Sequence, residues 1–251
     1  ESLADRRAAL YAPKRLDERT LWFEHVFLPP LRAQTDPDFT LHLLLGEDLP
    51  EPWRARVRAA IADVPQVRPH WREPGEHRAI CRDVLLSARD PNRLCVAEFR
   101  FDDDDAVAVD YVLQLRRQWP KLARLSNANG RVALDHGRGM VLEAQPDGTI
   151  KPHVLNTHCW SAGLAVFLRP SDEGIVMDFP HHKVWARMPF VNLTDSVMFI
   201  RGDHAHNDAR TPFGAGLPVP VPEAEIPALL TRRFAIDFQA FRDAWTQVTK
   251  T

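Results

Sequence analysis

The amino-acid sequence predicts an α/β fold, in which a largely parallel sheet is flanked by helices, with extra β-strands and a C-terminal helix. In the first half, compact apolar runs such as residues 39–45 (FTLHLLL) alternate with stretches of helical periodicity, which is the pattern of βα units. In the second half, Asn-Gly and Asp-Gly turn signals separate short β-like runs. An amphipathic helical pattern follows within residues 226–248.

The elements of the first half follow from local composition. Residues 19–35 carry apolar side chains at helical spacing until two adjacent prolines disturb the pattern. Residues 39–45 form the apolar run expected of a strand buried on both faces. Pro52 suits the first turn of a helix at 51–62. The remaining predicted elements are a strand at 67–71, a helix at 73–88 and a strand at 93–101.

From residue 127 onward the sequence predicts shorter elements. Turn residues interrupt residues 127–155, where we expect strands or hairpins. Residues 161–170 and 196–202 predict two further strands, and a proline-rich linker at 217–223 leads into the C-terminal helix.

Composition excludes several classes of protein. The 251 residues, 45% hydrophobic and 26% charged, suit one large domain. A net charge of -2 provides no global field for nucleic acid or an anionic membrane. Cys81, Cys95 and Cys159 are too few and too widely spaced for a disulfide framework, which favours a reducing, cytoplasmic setting. No apolar run approaches the length of a membrane span, and no signal-peptide pattern is present.

Four consecutive aspartates, Asp102, Asp103, Asp104 and Asp105, directly follow a predicted buried strand. Adjacent carboxylates repel one another, so a bound cation is expected to hold them together. Asp102 with Asp104, or Asp103 with Asp105, has the Asp-x-Asp spacing that can hold Mg²⁺ or Mn²⁺ and leave positions for diphosphate oxygens. The alternative is a solvated helix N-terminus, where the helix dipole favours acidic side chains.

The segment EFRFDDDDAVAVDYV, with LPPLRAQTDPDFTLHLLLGEDLPEPWRARV upstream, resembles a family of proposed bacterial rhamnosyltransferases, which are glycosyltransferases of GT-A fold. The resemblance is clear over residues 21–112. It implies a nucleotide-sugar donor, a hydroxyl acceptor and a GT-A-like sheet. In that family the aspartate run is the metal and nucleotide-diphosphate motif, and matching the commoner FLDADD form places Asp102, Asp104 and Asp105 on its aspartates. We therefore expect these three to bind the metal, and Asp102 and Asp103 to contact the donor. It also divides the chain into a nucleotide-sugar half, 1–126, and an acceptor half, 127–251.

The same resemblance implies further donor and metal residues. Arg78 and Arg82 share one face of a predicted helix at the position of an Arg-Asn helix start in related transferases, and could reach a diphosphate or a base. His204 matches the late histidine that completes many GT-A metal sites, within a His-x-x-Asn pattern ending at Asn207. The alternatives are exposed arginines and an ordinary surface loop.

A transferase that inverts its sugar needs a base to take the acceptor proton. Asp178 and His182 lie where such enzymes often carry this group, and we predict one of them as the base. Trp160 and Trp185 could stack on a sugar, although Trp is more often buried packing.

Together these features predict a metal-dependent glycosyltransferase that moves a sugar, with rhamnose as the candidate, from a nucleotide diphosphate to a hydroxyl. A nucleotidyltransferase and a non-catalytic carbohydrate-binding or assembly protein are the alternatives. GT-A sheets normally open with a strand, and none precedes the first predicted helix. We expect that strand to lie upstream of Glu1.

Overall fold

A computed structural model of the protein describes residues 3–145, 147–207 and 216–250. Three helices open the chain: α1 (Leu3–Leu10), α2 (Pro13–Trp22) and α3 (Leu28–Arg32). A π-helical turn, Phe23–Phe27, joins α2 to α3. The predicted disturbance of this helix therefore falls one turn before the two prolines. They lie instead in the first turn of α3, where proline's missing N–H is tolerated.

The first βα units form as predicted. Strand β1 (Leu41–Gly46), helix α4 (Trp53–Ile61) and strand β2 (Val67–Arg72) follow one another, and β1 pairs with β2 in parallel. Helix α5 (His77–Ala88) and strand β3 (Val96–Phe99) come next. The prediction that β1 is buried on both faces is wrong, because every residue of β1 is only partly buried.

The remaining strands are short and pair over long sequence separations. The aspartates do not begin a helix, which was the alternative interpretation of their sequence. The apolar residues after them form strand β4 (Ala106–Val107), and helix α6 (Tyr111–Asn129) begins after that strand. The Asn-Gly signal does not form a hairpin turn; its glycine, Gly130, ends α6 with φ 78°. The other strands are β5 (Val132–His136), β6 (Arg138–Ala144), β7 (Ile150–Asn156), β8 (Leu164–Leu168), β9 (Phe190–Leu193), β10 (Phe199–Asp203) and β11 (Leu217–Pro218).

In the described residues the strands form sheets with the orders β1-β2, β3-β8-β5-β9 and β11-β7-β6-β10-β4. The prediction of a largely parallel sheet is wrong. Among the strands that the structure describes, only β1 with β2, β6 with β10 and β5 with β9 pair in parallel, and the other pairings are antiparallel. The protein is therefore a mixed α/β fold whose sheets are flanked by helices.

The predicted C-terminal helix is two helices, α7 (Ile226–Phe234) and α8 (Phe238–Thr249). Ala235 adopts φ 54° between them and ends α7. Both helices join the main hydrophobic core, which runs from Leu21 to Trp245 and so includes residues of both halves of the chain. None of the described helices combines the length and apolar character needed to cross a bilayer.

A cavity of about 1360 Å³ lies between β1 and β3. Within the described ranges β1 pairs only with β2, and β3 only with β8, so each has an unpaired edge. Many of the side chains that line the cavity are apolar. Arg100, Asp102 and Asp103, which follow β3, and Arg19 of α2 also line it, and we call the part formed by these four residues its charged end.

Candidate functional site

The four aspartates lie in the loop between β3 and β4, and the structure divides them into two pairs. Asp102 and Asp103 line the charged end of the cavity. Asp104 and Asp105 are only 1% and 4% exposed. The division falls between neighbours in sequence, whereas the Asp-x-Asp spacing had paired alternate residues.

Asp104 is held by the loop that follows β10. The side-chain amide of Asn207 donates a 2.6 Å hydrogen bond to Asp104 Oδ2, and Nε2 of His204 lies 3.0 Å from the same oxygen. Asn207 Oδ1 in turn accepts the backbone N–H of His204 at 2.5 Å. Burial alone would raise the pKa of Asp104, but His204, Arg19 and Asn207 outweigh it and the pKa is lowered.

The hydrogen bonds of His204 also define its tautomer. Its Nδ1 accepts the backbone N–H of His206 at 3.2 Å, so Nδ1 carries a lone pair and Nε2 carries the hydrogen of the neutral ring. That hydrogen is on the side of Asp104, although it is not aligned well enough for a full hydrogen bond. A metal ligand must offer a free lone pair. In this arrangement His204 stabilises Asp104.

Asp105 ties the same loop to β10. Its Oδ1 accepts the backbone N–H of Gly202 at 3.2 Å, and its Oδ2 accepts that of Asp102 at 3.4 Å. Glycine is required at 202, since a Cβ there would lie 2.7 Å from the backbone oxygen of Asp104. Burial and the neighbouring carboxylates raise the pKa of Asp105 well above its usual value.

The two cavity-facing aspartates are surrounded by arginines. Arg19 of α2 forms an ion pair with Asp103, with Nε 3.2 Å from Oδ2. Asp102 is exposed to solvent and lines the cavity, and burial followed by the charge of Asp104 raises its pKa. Arg19, Arg100 and Arg201 act in the opposite direction. The site thus combines carboxylates that suit a cation with guanidinium groups that suit phosphate.

Residues 1–216 of the chain match the model of a family described as "Putative rhamnosyl transferase". The chain belongs to this family. The matched region contains the aspartate loop, its arginines and strands β1 to β10. A search of curated proteins finds none that matches the chain.

Two other residues predicted for this family's chemistry form a structural ion pair. Arg82 donates to both oxygens of Asp178 at 2.6 Å, and Asp178 also accepts the backbone N–H of Ile175 at 2.9 Å. These bonds fasten α5 to the 3₁₀ turn Val176–Asp178. The carboxylate predicted as a base is therefore occupied, and so is the arginine predicted to bind the donor.

Of the remaining predicted residues, Trp160 is buried and the others are exposed to solvent. Arg78 is exposed on α5, and His182 is exposed within the 3₁₀ turn His181–Ala186. Trp185 is 62% exposed, whereas Trp160 is buried beneath the guanidinium of Arg201, 5.6 Å from its ring centre.

Sequence reasoning did not select Arg19, Arg100 or Arg201. Two of these arginines could have been selected from their positions in the sequence. Arg100 precedes the aspartate run by two positions, and Arg201 lies in a predicted strand. Arg19 is 84 residues from Asp103, and nothing local connects them.

The residues present fit a shared metal site better than a complete protein cage. In the described part of the chain, no three His, Cys, Asp or Glu side chains are grouped so that they could hold a metal ion. Mg²⁺ is commonly bound by one or two carboxylates together with substrate phosphates and water. Asp102 and Asp103 are the carboxylates that would hold such a metal, Asp103 in exchange for its ion pair with Arg19.

Proposed function

We propose that the protein is a metal-dependent glycosyltransferase that moves a sugar, with rhamnose as the first candidate, from a nucleotide diphosphate to a hydroxyl acceptor. The observation that carries the proposal is the pair Asp102 and Asp103 facing a cavity beside Arg19 and Arg100. Membership of the rhamnosyl transferase family supports the reaction class and the sugar.

The charged end of the cavity suits the donor diphosphate. As the bond between sugar and diphosphate breaks, negative charge develops on the leaving oxygens, and preorganised cations stabilise that charge. Arg19 and Arg100 line that end and supply positive charge, and the charge of Arg201 also acts on Asp102. Mn²⁺ or Mg²⁺ shared between Asp102, Asp103 and the phosphates would supply more.

The apolar interior of the cavity does not suit a diphosphate. Leucines of β1 and apolar residues of β3 and α6 line it. An anion without partners is strongly disfavoured among such side chains. We therefore place the donor phosphates at the aspartates and arginines, at one end of this space.

A thermal-shift screen of nucleoside diphosphates and nucleotide sugars, with and without Mn²⁺, tests the proposal. A ligand at about 100 times its Kd stabilises by about 2.7 kcal/mol, which corresponds to a rise in Tm of about 5–10 °C for a protein of this size. Asp102→Asn should retain the unliganded Tm and lose the Mn²⁺-dependent rise. Asp243→Asn, at an exposed position of α8, is the matched control and should respond like the parent. The absence of any shift with every nucleotide would refute the proposal.

The products separate this function from its alternatives. A glycosyltransferase releases nucleoside diphosphate from a nucleotide sugar, whereas a nucleotidyltransferase releases pyrophosphate from a nucleoside triphosphate. A non-catalytic carbohydrate-binding protein releases neither.

A further inference from the structure

His181 is held by the backbone in a defined tautomer. Its Nδ1 lies 2.6 Å from the carbonyl oxygen of Cys159. A carbonyl can only accept, so Nδ1 carries the hydrogen and donates it. The lone pair of the neutral ring is therefore on Nε2. This is the arrangement by which a histidine base is oriented in enzymes, with one nitrogen anchored and the other available.

The anchor itself is unusual. Cys159 is a buried non-glycine residue with φ 59°, a strained backbone conformation that L side chains rarely adopt. Its backbone N–H donates to Asp135 Oδ2 at 2.7 Å, while its carbonyl accepts from His181. Asp135 is 1% exposed and lies at the end of β5. Asp135 on β5 thus holds Cys159, and Cys159 holds the imidazole of His181. Backbone strain of the kind seen at Cys159 is common at active sites.

Two arginines connect the imidazole with the proposed donor site. The guanidinium of Arg201 lies 5.6 Å from the ring centre of Trp160, the residue after the Cys159 that holds His181. The charges of Arg201 and Arg100 act on both Asp102 and His181. Burial is the largest cause that lowers the pKa of His181, and the charges of Arg100, His182 and Arg201 lower it further, against the bond to Cys159. His181 is therefore neutral at pH 7 and able to accept a proton.

The two residues that sequence reasoning favoured as the base are less suitable. Asp178 is held by Arg82 through both carboxylate oxygens. His182 is exposed, and its carbonyl accepts the indole N–H of Trp185 at 3.2 Å. Neither side chain combines partial burial with a defined tautomer.

We propose that His181 is the general base of the reaction, with Asp135 as a positioning residue that acts through Cys159. The inference rests on the proposed glycosyltransferase function. The acceptor O–H bond breaks and its proton passes to Nε2 of His181. The acceptor oxygen bonds to the anomeric carbon while the bond from that carbon to the diphosphate breaks, and the electron pair leaves on the nucleoside diphosphate. A single displacement of this kind inverts the anomeric carbon.

His181→Asn tests the proposal, because the asparagine amide can still donate to the Cys159 carbonyl but cannot take a proton. The control is His182→Asn, which makes the same change at the exposed neighbour. A general base contributes about 10²–10⁴-fold. We expect kcat of His181→Asn to fall within that range, with nucleoside diphosphate binding unchanged. Activity of the parent should rise with pH through the lowered pKa of His181, and this limb should be missing in His181→Asn.

The outcomes separate this inference from the function on which it rests. If the parent transfers sugar and His181→Asn does so at the same rate, or if the product retains its anomeric configuration, His181 is not the base and the function stands. An equal loss in His182→Asn, or a loss confined to donor binding, also overturns the inference. If the parent binds no nucleotide or nucleotide sugar in the presence of Mn²⁺, the proposed function itself fails.

Discussion

Replacing Asp135 with asparagine should stabilise the protein at high pH. Asp135 lies in the interior near the end of β5, where Oδ2 accepts one hydrogen bond and Oδ1 has no partner among the described residues. Burial raises its pKa to about 7, against the hydrogen bond from Cys159. Asparagine can accept the same N–H and carries no charge to bury.

The magnitude follows from proton linkage. The carboxyl has a pKa of about 7 when folded and about 4 when unfolded, so the folded protein binds the proton more tightly. Its contribution to stability is complete below pH 4 and is lost as the pH rises through 7. The total loss is about 4 kcal/mol, of which about 3 kcal/mol falls between pH 5 and pH 8. Neighbouring His136 has the opposite sign, because burial lowers its pKa to about 4 and it stabilises the fold as the pH rises towards 6.5.

Urea denaturation of the parent and of Asp135→Asn at pH 5 and pH 8 isolates the carboxyl, since the contribution of His136 is common to both proteins. The variant's advantage should grow by about 3 kcal/mol between the two pH values. Asp243→Asn should show no such growth. A difference between Asp135→Asn and parent that stays constant with pH would refute the reasoning. If Asp135 also positions His181, the stabilised variant should be a slower enzyme.

Three further substitutions probe the elements around the site. Asp104→Ala removes the acceptor of Asn207 and should cost about 3 kcal/mol in urea denaturation; an unchanged midpoint would exclude its structural role. Arg89→Met leaves buried Glu98 without its 2.6 Å partner and should cost about 3–5 kcal/mol, most of which a second change, Glu98→Gln, should restore. Cys159→Val should lower Tm more than Cys159→Gly, because glycine tolerates φ 59° and a β-branched residue does not; the reverse order would contradict the assigned backbone conformation.

Sequence patterns predicted the fold correctly where a strand pairs with the next strand in the chain. The alternation of apolar run and helix in residues 39–71 gave β1, α4 and β2 with their parallel pairing. The same reasoning failed for β3, which pairs antiparallel with β8, about 70 residues later in the chain. Nothing in the sequence of either strand encodes that partner. The break between α7 and α8 was missed because Ala235 is not a residue type that favours positive φ.

The sequence predicted that the aspartate run follows a strand, but it did not predict which of the aspartates are buried. The aspartate run does follow a strand, as its apolar flank indicated. An irregular loop has no fixed period, however, so the sequence could not show that Asp102 and Asp103 face the cavity while Asp104 and Asp105 are buried. Likewise, adjacent His181 and His182 are equivalent in sequence, and only the contact with Cys159 distinguishes them.

Release of nucleoside diphosphate from nucleotide sugars, measured with Mn²⁺ and again after addition of EDTA, tests the account most directly. A rhamnose nucleotide is the first donor to try, followed by a panel of other sugars. We predict Mn²⁺-dependent release by the parent, abolished by EDTA and strongly reduced in Asp102→Asn, which should remain folded. Release that is unaffected by both EDTA and Asp102→Asn, or no release from any nucleotide sugar, would contradict the account.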